Sequence, residues 1–152
     1  MRVPIYQALA HYKRNEILPY TEYFCLGFFT DISLAESTLD KSKKLVGFSE
    51  LNNDSFSITT HYLNDCAHIG NEVSYEIINN KVYGVWYDYD IDDYYTCSGY
   101  IGLFSTLKYA ETAIEWYKTW DIFKVHGIDC LGIDTITLNL RGWTDGFITV
   151  YD

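Results

Sequence analysis

The chain has 152 residues and a formal net charge of −10 at pH 7, with 48% apolar and 18% aromatic residues. Such an aromatic chain has ample material for a core and is not typical of a disordered protein. The negative charge argues against nucleic acid or an anionic membrane as a partner, since both repel an acidic surface.

The predicted elements of the first half follow from runs of aromatic and β-branched residues. Residues 5–12 and 23–29 are predicted strands, and the period of Ile32, Ala35 and Leu39 predicts a helix. Residues 56–63 and 72–78 are predicted to be a third and a fourth strand. Thr30 is the expected N-cap of the helix.

The second half repeats this order. Strands are predicted at residues 82–89, 99–105, 132–138 and 146–151. Between the second and third of these strands, Leu107, Ala110, Ile114 and Tyr117 have helical spacing, and Ser105 stands at the expected N-cap.

The two halves are an internal duplication. A shift of 75 residues aligns residues 20–64 with residues 95–139 and gives thirteen identities, against roughly three expected for unrelated segments. Upstream, residues 5–12 match residues 82–89 with a shift of 77. We therefore predict an α+β fold with two β-β-α-β-β repeats, 1–78 and 79–152, mainly antiparallel sheets, one helix per repeat and one compact pseudo-twofold domain.

The expected compartment is the cytoplasm. No segment approaches the ~20 apolar residues of a membrane span, and the N-terminus lacks a signal-peptide pattern. Four cysteines occur without a C-x-x-C pair, which favours reduced thiols in or near the core. They are Cys25, Cys66, Cys97 and Cys130.

The repeats differ most between their first two strands. The first repeat has "KRNEILP" at 13–19, and the second has "DIDDY" at 90–94. A requirement of the shared fold would act on both repeats, so this acidic hairpin is the best candidate for a functional feature. Its tyrosines would supply rigid contact area, and its aspartates would pair with a basic partner. The candidate binding residues are Asp88, Tyr89, Asp90, Asp92, Asp93, Tyr94 and Tyr95.

Alternative chemistry has weaker support. Asp88, Asp90 and Asp92 have the D-x-D-x-D spacing of a calcium loop, but Asp93 and Gly99 replace the Gly and Glu that an EF-hand needs. The stretch 61–68 gathers His61, Asp65, Cys66 and His68, which match no zinc spacing. We find no catalytic motif and expect neither an enzyme nor a cofactor.

The chain resembles, in type, the immunity proteins of bacterial polymorphic and contact-dependent growth inhibition toxin systems. The resemblance is carried by an acidic, aromatic-rich α+β chain without catalytic motifs, and it implies a protein that binds and neutralises a cognate toxin domain. The acidic hairpin favours a basic nuclease as this toxin, because its aspartates would stand where the substrate phosphates bind. More locally, "IGLFSTLKYAETAIE" with "LNLRGWTDGF" resembles a short bacterial domain of unknown function, which implies no activity. The alternative is a small-molecule or metal-binding protein, or an enzyme, that uses a cleft between the repeats lined by His61, His68 or the aspartates.

Overall fold

The computed structural model of the chain describes residues 2–13, 21–92 and 96–148. It has two three-stranded antiparallel sheets and a few helices, so the predicted α+β class is confirmed. None of the helices in these ranges combines the length and the apolar character needed to cross a bilayer.

Each repeat supplies one sheet. The first sheet has the strand order β2-β1-β3 and the second has the order β5-β4-β6. The strands are β1 (Pro4–Lys13), β2 (Thr21–Phe29), β3 (Phe56–Tyr62), β4 (Lys81–Asp90), β5 (Thr96–Phe104) and β6 (Leu131–Thr137). The first three predicted strands of each repeat are thus confirmed, and their ends are shifted by up to three residues.

The hairpin register confirms the duplication. Tyr6 pairs with Phe29 in the first repeat, and Tyr83 pairs with Phe104 in the second. Both hairpins also contain a β-bulge at the equivalent place, between Ala8 and Leu9 and between Val85 and Trp86. The bulge therefore belongs to the shared fold.

One main helix follows the hairpin in each repeat. The helices α1 (Ile32–Ser42) and α2 (Leu107–Tyr117) pack on their sheets, with Ala35 and Ala110 fully buried. A short helix α3 (Asp121–His126) follows α2, so the second repeat has one helix more than predicted. The corresponding residues of the first repeat form a 3-10 turn at Phe48–Glu50. The first repeat has Gly47 in this region, whose φ of 83° is incompatible with a continuing α-helix.

The predicted N-caps are wrong by one residue. Asp31 caps α1 by accepting a hydrogen bond from Ser33 N, and Thr106 caps α2 by accepting one from Tyr109 N. Asp31 and Thr106 have the extended backbone of an N-cap and side chains long enough to reach these N–H groups. Hydrogen bonds to Ser33 also lower the pKa of Asp31.

The predicted fourth strand at 72–78 does not form. Ile78 makes only an isolated bridge with Lys81. Upstream, side chains satisfy the backbone of Ser74, because its N–H donates to Tyr109 Oη at 2.9 Å and its carbonyl accepts from Ser105 Oγ at 2.7 Å. In the second repeat, residues 146–148 are not in a strand, and residues 149–151 lie outside the described ranges.

The compact units of the chain differ from the sequence repeats. The β1 unit comprises Ile5–Thr60 and Leu138–Asp152, and the β4 unit comprises Met1–Pro4 and His61–Thr137. The end of each repeat therefore belongs to the unit that holds the other repeat's hairpin and helix. Phe147 accordingly joins the core of the β1 unit, and Cys66 and Ile69 join the core of the β4 unit.

Each unit has its own aromatic core. In the β1 unit, Phe24 stacks on Phe147 with ring centroids 4.6 Å apart. In the β4 unit, Tyr117 is buried at the end of α2, and burial raises the pKa of its hydroxyl. All four cysteines are free thiols, of which Cys130 is buried and the others are half-buried.

Candidate functional site

The side chains of β4 alternate between two faces of the sheet, as strand geometry requires. Trp86, Asp88 and Asp90 lie on one face. Tyr87 and Tyr89 lie on the other face, where both rings contact Phe123 of α3. The acidic hairpin therefore presents its carboxylates on the face of the sheet that is turned away from α3.

A tyrosine crosses this carboxylate-bearing face. Tyr100 of β5 pairs with Trp86, and its hydroxyl donates to Asp134 Oδ2 of β6 at 3.0 Å. The ring passes over Gly84 of β4, where an added Cβ would meet the Tyr100 ring at 2.8 Å. Glycine at 84 thus permits a contact between the two outer strands of the sheet. We call the surface formed by Trp86, Asp88, Asp90, Tyr100 and Asp134 the acidic face.

Trp86 is held flat on the sheet. It pairs with Gly132 of β6, and a Cβ added at Gly132 would overlap the indole ring. Only glycine leaves room for an indole at this position. The ring keeps part of its surface exposed, so it offers a fixed aromatic plane beside the carboxylates.

The carboxylates of the acidic face are exposed to solvent. Asp90, at the end of β4, accepts a hydrogen bond at 3.0 Å from Oγ1 of Thr96, at the start of β5. Asp88, Asp90 and Asp134 are all exposed. Every residue of β4, β5 and β6 lies in the described ranges, and the alternation places no lysine or arginine on this face.

Tyr89 was predicted to share a binding surface with the aspartates, but it lies on the opposite face of the sheet. The Tyr89 ring stacks on His126 at 4.3 Å, and a hydrogen bond with the Cys97 thiol raises the pKa of its hydroxyl. Asp92 is exposed in the turn after β4. Asp93, Tyr94 and Tyr95 lie outside the described residues.

Trp86, Tyr100 and Asp134 are site residues that the sequence analysis missed. The signal that identifies them is the same difference between the repeats. Their counterparts in the first repeat are Leu9, Cys25 and Thr59, and the counterpart of Asp88 is His11. In the first repeat, Gln7 takes the place of Gly84, and its Nε2 lies 3.5 Å from Cys25 Sγ. The equivalent surface of the first repeat thus has neither the carboxylates nor the indole. There His11 pairs with Tyr23, and their ring centroids are 6.1 Å apart.

The possible metal ligands of residues 61–68 do not converge. His68 stacks on Trp116 with ring centroids 3.7 Å apart, whereas Cys66 packs against the core of the β4 unit. Burial lowers the pKa of His61 and favours its neutral form. Within the described ranges, no three His, Cys, Asp or Glu side chains are grouped so that they could hold a metal ion.

Two surface cavities lie elsewhere. A groove of about 440 Å³ in the β1 unit is lined by Tyr12, Val46, Gly47, Glu50, Leu51, Phe147 and Ile148. A smaller one of about 220 Å³ in the β4 unit is lined by Lys118, Phe123, Lys124, Gly127 and Leu131. Neither of these two cavities is lined by His61, His68 or an aspartate.

Comparison of the chain with protein-family models, with curated proteins and with solved structures finds no match.

Proposed function

We propose that this protein is an immunity protein that binds a basic toxin domain through the acidic face and thereby neutralises it. The observation that carries the proposal is the set of exposed Asp88, Asp90 and Asp134 carboxylates around Trp86, on a face without lysine or arginine. The first repeat builds the same sheet without these residues. The fold therefore does not require them.

The shape of this surface favours a macromolecular partner. An open sheet face buries little of a small ligand, whereas small-molecule sites are concave. Trp86 and Tyr100 are aromatic side chains of the kind that dominate protein interfaces. The neighbouring carboxylates, together with a net charge of −10, would accelerate encounter with a cationic protein.

A basic nuclease is the toxin class that best fits this charge. Its active site attracts the phosphates of its substrate, so a row of carboxylates is complementary to the same cations. Asp88 and Asp90 lie two residues apart on one strand, a separation of about 7 Å. Bound over the active site, the acidic face would exclude the nucleic acid by charge and by volume.

The proposal predicts that a toxin domain is encoded directly upstream of this gene, and that domain is the partner to be tested. We expect co-expression of the protein to restore growth of cells that produce this domain, and the two purified proteins to form a stable complex. Toxicity that persists despite soluble expression of the protein, with no complex in solution, would refute the proposal.

A matched pair of variants tests whether the acidic face is responsible. The first variant is Asp88→Asn, Asp90→Asn and Asp134→Asn. The control removes the same number of charges at exposed positions outside the strands β4, β5 and β6, through Glu36→Gln, Glu76→Gln and Glu111→Gln. We expect protection to be lost in the first variant and kept in the control.

A further inference from the structure

The outer edge of β2 is covered by the chain itself. In the β1 unit, the segment after β6 runs along this edge: Asn139 N donates to Phe28 O at 2.7 Å, and Gly142 N donates to Leu26 O at 2.9 Å. Strand edges present unpaired N–H and C=O groups that readily accept another strand. In the first repeat, the edge of the hairpin therefore accepts an extended backbone segment.

The equivalent edge of β5 receives a backbone hydrogen bond from the chain at Leu103. Asn64 N donates to Leu103 O at 2.8 Å, as Asn139 N does to Phe28 O. The chain then turns back, because Cys66 N donates to Asn64 O, and it forms a 3-10 turn at Ala67–Ile69. Within the described ranges, Ile101 O, the counterpart of Leu26 O, receives no backbone hydrogen bond from outside the sheet.

The open edge adjoins the acidic face. Thr96 and Ser98 of β5 pair with Asp90 and Asp88 of β4. A strand added to β5 would lie about 10 Å from β4, since neighbouring strands are about 4.8 Å apart. Ser98 is small, so long lysine or arginine side chains on the added strand can extend over it toward Asp88.

We propose that an extended basic strand of the partner protein adds to the outer edge of β5 over residues 98–101. Its backbone pairs with Ile101, as the chain's own segment pairs with Leu26, and its alternate lysine or arginine side chains reach Asp88 and Asp90. This inference rests on the proposed function and specifies how the partner binds. Main-chain pairing supplies affinity and the carboxylates supply selectivity for a basic segment.

Amide hydrogen exchange, followed by NMR on the full chain with and without the toxin domain encoded upstream, tests the proposal. We expect the outward-facing amides of residues 96–101 to exchange at least about tenfold more slowly in the complex, at alternate positions. Amides of β2, whose edge is already covered, serve as the internal control and should not change.

Two results would overturn the inference and leave the proposed function standing. The first is a complex in which exchange slows on β4 and β6 but not at residues 96–101. The second is slowing at residues 96–101 that increases with the concentration of the chain alone, since a second copy then occupies the edge. If no complex forms, the proposed function fails and the inference fails with it.

Discussion

Asn64 Oδ1 accepts a hydrogen bond from the backbone N–H of Ser105 at 2.9 Å. The second repeat supplies the equivalent contact, in which Asn139 Oδ1 accepts from Thr30 N at 3.0 Å. Both asparagines adopt a left-handed backbone, with φ of 59° and 61°. Each therefore ties the end of one repeat to the strand–helix junction of the other.

Replacing Asn64 should destabilise the β4 unit more than replacing Asn139 destabilises the β1 unit. Asn64 is buried and its Nδ2 also donates to Ser74 O at 3.0 Å, whereas Asn139 is exposed. For Asn64→Ala we expect a loss of about 2–4 kcal/mol in the free energy of unfolding, because buried groups lose their partners and alanine disfavours the positive φ. For Asn139→Ala we expect about 1 kcal/mol. Urea denaturation measures both.

Asn64→Gly separates the two causes. Glycine accepts the positive φ without strain, so the difference between the alanine and glycine variants reports the backbone contribution. Equal losses in the free energy of unfolding for Asn64→Ala and Asn139→Ala would contradict the prediction that burial makes the loss larger at Asn64.

Replacing Trp86 and Gly132 by their counterparts in the first repeat tests the contact between these two residues. Gly132→Ser, which introduces the counterpart Ser57, should displace the indole and cost about 1–3 kcal/mol. Trp86→Leu introduces the shorter counterpart Leu9. In the double variant, serine has no indole to displace, so the loss should be smaller than the sum of the single losses.

A double-mutant cycle measures this coupling, with unfolding followed by circular dichroism. We expect an interaction energy above about 0.5 kcal/mol. Strictly additive losses would mean that the indole does not depend on glycine at 132.

The stability of the chain should fall as pH decreases through the titration range of His61. Burial lowers the pKa of this side chain in the folded state, so the unfolded chain takes up the proton first. The contribution of neutral His61 is complete above about pH 6.5 and declines as the pH falls from there through the lowered pKa.

His61→Asn should therefore reduce the loss of stability between pH 7 and pH 5, as measured by urea denaturation. His68→Asn is the control, because His68 is an exposed histidine. Identical pH profiles for the wild type and His61→Asn would contradict the effect of burial.

The duplication made most of the fold predictable. Three strands and the main helix of each repeat follow from aligned apolar patterns. The N-caps were wrong because Thr30 and Ser105 are engaged by Asn139 and Asn64, which lie 109 and 41 residues away in sequence. The predicted strand at 72–78 was wrong because side chains satisfy the backbone of Ser74. Local patterns contain no information on such distant partners.

The candidate site was predictable in part. Strand alternation alone places Tyr89 on the opposite face of the sheet from Asp88, and Trp86 on the same face as Asp88. The difference between Thr59 and Asp134 is also visible in the aligned repeats. The contact between Tyr100 and Asp134 was not predictable, because it requires the strand order β5-β4-β6 and the space above Gly84.

The most direct test of the central claim is the affinity of the toxin domain encoded upstream for two variants, measured by calorimetry at several salt concentrations. The Asp88→Asn, Asp90→Asn, Asp134→Asn protein should bind at least about tenfold more weakly than the wild type and with a smaller dependence on salt. The Glu36→Gln, Glu76→Gln, Glu111→Gln protein should bind within about twofold of the wild type. Equal affinities for the two variants would contradict the assignment of the binding site to the acidic face.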